Sequence, residues 1–136
     1  MLGVCHCTEW LRVGEGYSSD TQLALTSSAS TAAAGSQVTL TGKLSGGNKS
    51  FTGTINFCNG ATLVAQASVQ GSNASSVVTT LPVGLDSLTA TYTGDQYNDT
   101  ASSGTLPQLI TGQASIQVIA TSGSLSHATE VLVTLQ

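Results

Sequence analysis

Apolar and polar side chains alternate with a period of two along most of this chain. Between Ser87 and Thr93, Leu88, Ala90 and Tyr92 share one face, while Ser87, Thr89, Thr91 and Thr93 share the other. That is the pattern of a strand with one buried face. Turn signals bracket it. Pro82 fixes φ and Gly84 permits positive φ before it, and Gly94-Asp95 closes it. The same alternation recurs in Leu23/Leu25, in Val38/Leu40/Gly42/Leu44, in Ile55/Phe57 and in Leu63/Ala65/Ala67/Val69. Ala74 to Leu81 forms a further strand, in which Val77 and Val78 cannot both face a core, so its register stays open. A last strand, from about Tyr97 to Ile110, contains Pro107, which belongs at an edge or a bulge.

Asp20 to Thr111 therefore reads as seven strands of sandwich type, with Ser27 to Ala34 as a small, polar, kinked part of the first. No segment carries a helical stripe of useful length. The predicted core is Leu25, Val38, Leu40, Ile55, Phe57, Leu63, Leu88, Ala90 and Tyr92. Since Phe57 points inward, Cys58 is expected to point outward or to lie at the strand end. Residues 113–136 form a separate hairpin. Ile116, Val118 and Ala120 alternate, Thr121 to Ser124 turns, and Val131, Val133 and Leu135 alternate again. An isolated hairpin is marginal in water, so this one must pair with the first sheet, with another copy, or with a longer array. Residues 1–19 sustain no period and are expected to be poorly ordered.

Particular motifs resemble a known family. The run Ser27 to Thr41 leads through small residues to Gly35 and then Val38-Thr-Leu-Thr41. Thr52-Gly-Thr-Ile-Asn-Phe-Cys-Asn-Gly60, the Leu81-Pro-Val-Gly84 turn and Thr91-Tyr-Thr-Gly-Asp95, with Tyr97 soon after, complete the set. Together they resemble the bacterial immunoglobulin-like repeat of group 3, found in tandem arrays on large secreted and cell-surface proteins. The resemblance covers residues 20–111. The tail hairpin is similar to the last two strands of a different immunoglobulin-like repeat, whose first five strands are missing. The resemblance implies an all-β fold, an immunoglobulin-like antiparallel β-sandwich with an additional C-terminal β-hairpin. The implied organisation is a leader at 1–19, a sandwich at 20–112 and a hairpin at 113–136. It also implies a structural or adhesive role, with neighbouring repeats or domains of a longer chain as partners.

Composition narrows the function classes. Charged residues make up only 7% of the chain, and the net charge is −4, from three basic and seven acidic side chains. Arg12, Lys43 and Lys49 cannot build the basic footprint that nucleic acid requires. No apolar run is long enough for a transmembrane helix. Met1 to Val4 is too short for the apolar region of a signal peptide, and Glu9 and Arg12 interrupt the residues after it. An extracellular or cell-surface location therefore places the export signal outside this chain. The odd cysteine count excludes a fully paired framework. Cys58 pairs with Cys5, with Cys7 or with neither, and the core is expected to hold without a staple.

Little in the sequence points to chemistry. Cys5-His6-Cys7 is too tightly spaced for an ordinary zinc site. Asp95 and Asp99, with Asn98 between them, are weak calcium candidates. Calcium takes six to eight oxygen ligands, and Asp86 and Glu130 are too scattered to add them. Turn capping by Asp95 is the simpler expectation. A hydrolytic triad lacks material, because His6 and His127 are the only histidines and no nucleophile elbow or HExxH is present. Tyr92 lies on the Leu88/Ala90 face and is assigned to the core. Phe51 and Trp10 alone make no sugar-stacking platform. The sequons at Asn48, Asn73 and Asn98 carry little weight in a bacterial protein, which the resemblance implies. The expected protein is non-catalytic and takes no cofactor: a spacer, stalk or adhesion repeat. The alternative is a module binding glycan or a surface protein through end loops or a free sheet edge.

Overall fold

The computed structural model describes residues 20–47 and 50–135. The Cys5-His6-Cys7 patch, Trp10 and the Asn48 sequon lie outside these residues. Ten strands succeed one another without a helix among the described residues: β1 (Gln22–Ser27), β2 (Thr31–Ala33), β3 (Val38–Ser45), β4 (Thr54–Asn59), β5 (Thr62–Ser68), β6 (Asn73–Val78), β7 (Gly84–Tyr92), β8 (Ala101–Ser102), β9 (Leu106–Ser122) and β10 (Leu125–Leu135).

One sheet runs β1-β3-β6 and the other runs β10-β9-β7-β4-β5, with β2 on β9 and β8 on β7. The β2–β9 pair is parallel; the other strand pairs are antiparallel. Val38, Leu40 and Leu44 from the first sheet meet Ile55, Phe57, Leu88, Ala90, Tyr92 and Ile110 from the second, all buried. This is the immunoglobulin-like sandwich, its inner faces built from every second residue of each strand.

The kinked opening predicted over 27–34 is where the chain changes sheets. β1 pairs with β3, and β2 crosses to lie beside β9. The open register of the sixth strand is settled by its partner. Val38 sits opposite Val78, so Val78 is buried while Val77 is 55% exposed. Pro107 lies in β9 ahead of the stretch that β2 pairs, so no ladder bond to β2 requires its missing N–H. Gly42 is buried because it must be small. A Cβ there would meet Ile55 Cδ1 at 2.8 Å.

Three expectations need correction. Leu63 is only half-buried, and Val64 packs against the core instead. The β4–β5 register shifts between Phe57 and Cys58, skipping Val64 and breaking the alternation on which the Leu63 assignment rests. Cys58 does oppose Phe57 across the strand, yet it is fully buried and disulfide-bonded. The bond also overturns the expectation that the core holds without a staple. Since Cys5 and Cys7 are the only other cysteines, the partner of Cys58 lies outside the described residues.

Phe57 has no exposed surface and sits in mid-sheet between β5 and β7. Phe57→Ala should cost about 3–5 kcal/mol in urea unfolding, from lost burial plus the cavity left behind. A cost near zero would contradict the core packing.

Candidate functional site

The densest polar cluster closes one end of the sandwich, in the turn after β7. Its centre is Asp95. Oδ2 accepts from Thr52 N at 2.8 Å, Tyr92 OH at 2.9 Å, Asn98 Nδ2 at 3.0 Å and Thr52 Oγ1 at 3.1 Å. Oδ1 accepts from the backbone N–H of Tyr97 and of Asn98, each at 2.8 Å. These last two bonds form the Asx turn that reverses the chain. The backbone closes the same turn through Asp95 N to Asn98 O at 2.9 Å.

Tyr92 joins this cluster to the core. Its ring is fully buried, with Phe51 edge-on to it at a centroid distance of 6.0 Å. Its hydroxyl reaches Thr52 O at 2.6 Å as well as Asp95, so one proton serves two acceptors. Burial, the bond to Asp95 and the charge of Asp95 push the Tyr92 phenol up to about 12. Burial alone would raise the Asp95 pKa. The donors from Thr52, Asn98, Tyr97 and Tyr92 outweigh it and hold the carboxyl well below the usual carboxylate range.

Chemically, this is an anion surrounded by N–H and O–H donors. A calcium ion wants lone pairs from six to eight oxygens. At Asp95 it would meet hydrogens, and Thr52, Tyr92 and Asn98 would all have to turn away. Asp99, the other acidic residue of this loop, is exposed. Asp86 and Glu130 are elsewhere, in β7 and β10. Among the described residues, no three His, Cys, Asp or Glu side chains lie close enough to hold a metal ion.

Asp86 occupies a second, smaller polar cluster in the half of the core away from Asp95. It is 5% exposed, and its Oδ1 accepts from Asn59 Nδ2 at 2.6 Å. Its cross-strand partner Gln108 is fully buried, and Gln108 Oε1 accepts from Ser27 Oγ at 2.7 Å. The sequence does carry a signal for this cluster: Asp86 is in step with Leu88, Ala90 and Tyr92, so its side chain faces inward. It carries none for Thr52 as a partner of Asp95, since no local pattern ties residues so far apart. His127 lies on β10, remote from both clusters. Tyr97 is half-exposed beside the Asp95 turn.

The pKa directions set the pH range of the lock. Asp95 has a lower pKa folded than unfolded. Its stabilisation is full above about pH 4 and is lost as pH falls below that. Tyr92 has the higher pKa folded, so its share is full below about pH 10 and fades as pH rises towards 12. Asp95→Asn should be less stable than wild type at neutral pH and lose less stability between about pH 5 and pH 2. Urea unfolding across that range checks this, and parallel losses in the two proteins would contradict it.

The comparisons with known proteins agree with this geometry. A family model described as the bacterial Ig-like domain (group 3) matches residues 25–111, more than half of the chain. Among solved structures, the fibronectin(III)-like modules of Clostridium thermocellum CbhA superpose with a TM-score of 0.51 at 19% identity. The match covers 63% of this chain and 93% of theirs, and at that identity it speaks to the fold alone. No curated protein matches the chain. Domains of both kinds are typically extracellular or surface-associated, and they are generally non-catalytic. No helix among the described residues is long and apolar enough to cross a membrane. The matched segment takes in the β2–β9 crossing, both inner faces and the Asp95 turn, and the chain belongs to the bacterial Ig-like domain family of group 3.

Proposed function

We propose that this chain is a non-catalytic spacer unit of a bacterial extracellular or cell-surface protein, carrying load from one neighbouring domain to the next. The observation that carries this reading is where the chain enters and leaves the sandwich. Asp20 lies at the Asp95 end: Gly46 sits against its carbonyl, and Gly47 against Asn98 and Phe51. β9 leaves at the opposite end, beyond Ile110, and continues unbroken to Ser122. A pull on the two sides therefore runs along the strands.

Strand direction sets the mechanism. β2 and β9 are parallel neighbours bound by Leu109 N to Ser30 O at 3.0 Å and Ala34 N to Thr111 O at 2.8 Å. With the Cys58 disulfide reduced, load drawing β9 one way and the N-terminal side the other shears this pair, so its bonds must break together rather than one at a time. β1 is loaded against β3 in the same sense along the six residue pairs from Gln22↔Ser45 to Ser27↔Leu40. The Asp95 cluster pins the turn at the loaded end to Thr52, ahead of β4.

Pulling the chain between its two sides in a force spectrometer under reducing conditions, so that the Cys58 disulfide does not carry the load past β1 and β2, tests the reading. Ala34→Pro removes one donor at an exposed position. It should lower the peak unfolding force while changing urea stability by about 1 kcal/mol at most. An unfolding force untouched by Ala34→Pro, or one no higher than that of a peeling geometry, would count against a load-bearing spacer.

A further inference from the structure

Beyond Gly112, β9 leaves the sandwich and pairs with β10 from Gly112↔Leu135 to Ser122↔Leu125. The register sorts this ribbon into two faces. One carries Ile116, Val118, Leu125, Val131, Val133 and Leu135, between 36% and 75% exposed, with His127 and Thr129 among them towards the tip. The other carries Gln113, Ser115, Gln117, Glu130 and Thr134, with Ile119 and Leu132 among them. The apolar face is in step with Ile110 and Gly112, both buried in the sandwich. It is the core face of β9 carried past the end of the core, with no second layer over it among the described residues.

We propose that this face docks on the same face of a second copy of the chain, the two ribbons stacked antiparallel about a twofold axis. Two observations favour that occupant, and a third sets its strength. The face bears no carboxylate, lysine or arginine; its one titratable side chain, His127, lies near the tip, which antiparallel stacking sets against the partner's ribbon root rather than against the partner's own His127, and Glu130 points to the other side, where it bonds Ser115. The face continues a surface that already packs as one layer of a two-layer sandwich, and an identical ribbon supplies the matching layer about 10 Å away. The area is also informative. A two-stranded ribbon with 11 residues in β10 presents a projected face of about 350 Å². Two such faces give about 700 Å², below the ~1,000 Å² that a stable specific interface clears, so the ribbons alone make only a transient contact. Antiparallel stacking adds to it, because each tip residue Leu125 then reaches the partner's ribbon root, where Val83 is 46% exposed beside Gly112. The dimer is therefore weak and concentration-dependent.

Sedimentation equilibrium of the full chain over two decades of concentration tests this, alongside Val131→Lys on the apolar face and Leu132→Lys on the opposite one. Wild type and Leu132→Lys should shift from monomer to dimer mass with a dissociation constant on the order of 10–100 μM, and Val131→Lys should raise that constant at least tenfold. Circular dichroism confirms that each variant retains its strand content. Three outcomes would overturn the proposal. One is a wild type that stays monomeric throughout, leaving the face to a following domain of a longer chain. Another is equal loss of association in both lysine variants. The third is growth to species larger than a dimer that neither variant affects, which would indicate edge-to-edge pairing instead.

Discussion

A strand with one apolar face needs a second layer to bury it, and β9 has that layer over only part of its length. From Leu106 to Gly112 it lies in the sandwich, with Ile110 in the core and Gly112 packed under Val83. From Gln113 to Ser122 its only strand partner among the described residues is β10, and its side chains are largely exposed. Much of the molecule reflects this difference. Where two layers meet, eight large side chains have essentially no exposed surface, and the sandwich is a closed unit. Where one layer stands alone, hydrogen bonds hold the ribbon together while its apolar face remains open.

The closed part is finished at one end by electrostatics rather than by apolar contact. Asp95 gathers donors from Thr52, Tyr92, Tyr97 and Asn98. Because Tyr92 reaches it from within the core, the turn and the core packing are coupled. Such a network is stabilising only when every member is satisfied, since a lone buried charge costs far more than a surface one. At the other polar cluster, Asp86 Oδ2 and Gln108 Nε2 have no protein partner. The two ends of the core thus differ in kind, one fully bonded and one not. The bonded end is the one beside which the chain enters.

Much of the fold is legible because sandwiches are written in period two. The faces of β3, β4 and β7 can be read directly from Val38/Leu40, Ile55/Phe57 and Leu88/Ala90/Tyr92, and the turn glycines and Pro82 mark the reversals. The features that are not legible depend on partners distant in sequence. Val78 rather than Val77 is buried because β3 sets its register. Val64 replaces Leu63 because the shift opposite Phe57 and Cys58 is a property of the pair of strands, not of either alone. The Asp95 turn is visible as a capping residue. Its link to Thr52, 43 positions away, needs the fold. The unbroken run of β9 into the ribbon is written in the phase that Ile110 shares with Ile116 and Val118, but Gly112 between them reads as a break.

Amide hydrogen exchange along β9, read residue by residue at two protein concentrations, tests whether the second layer governs this strand. Strong, concentration-independent protection is expected from Leu106 to Gly112. Weaker protection is expected from Gln113 to Ser122, rising with concentration as the apolar face is covered. Uniform protection along the whole strand, the same at both concentrations, would show that the ribbon needs no second layer and would contradict the dependence of β9 on one.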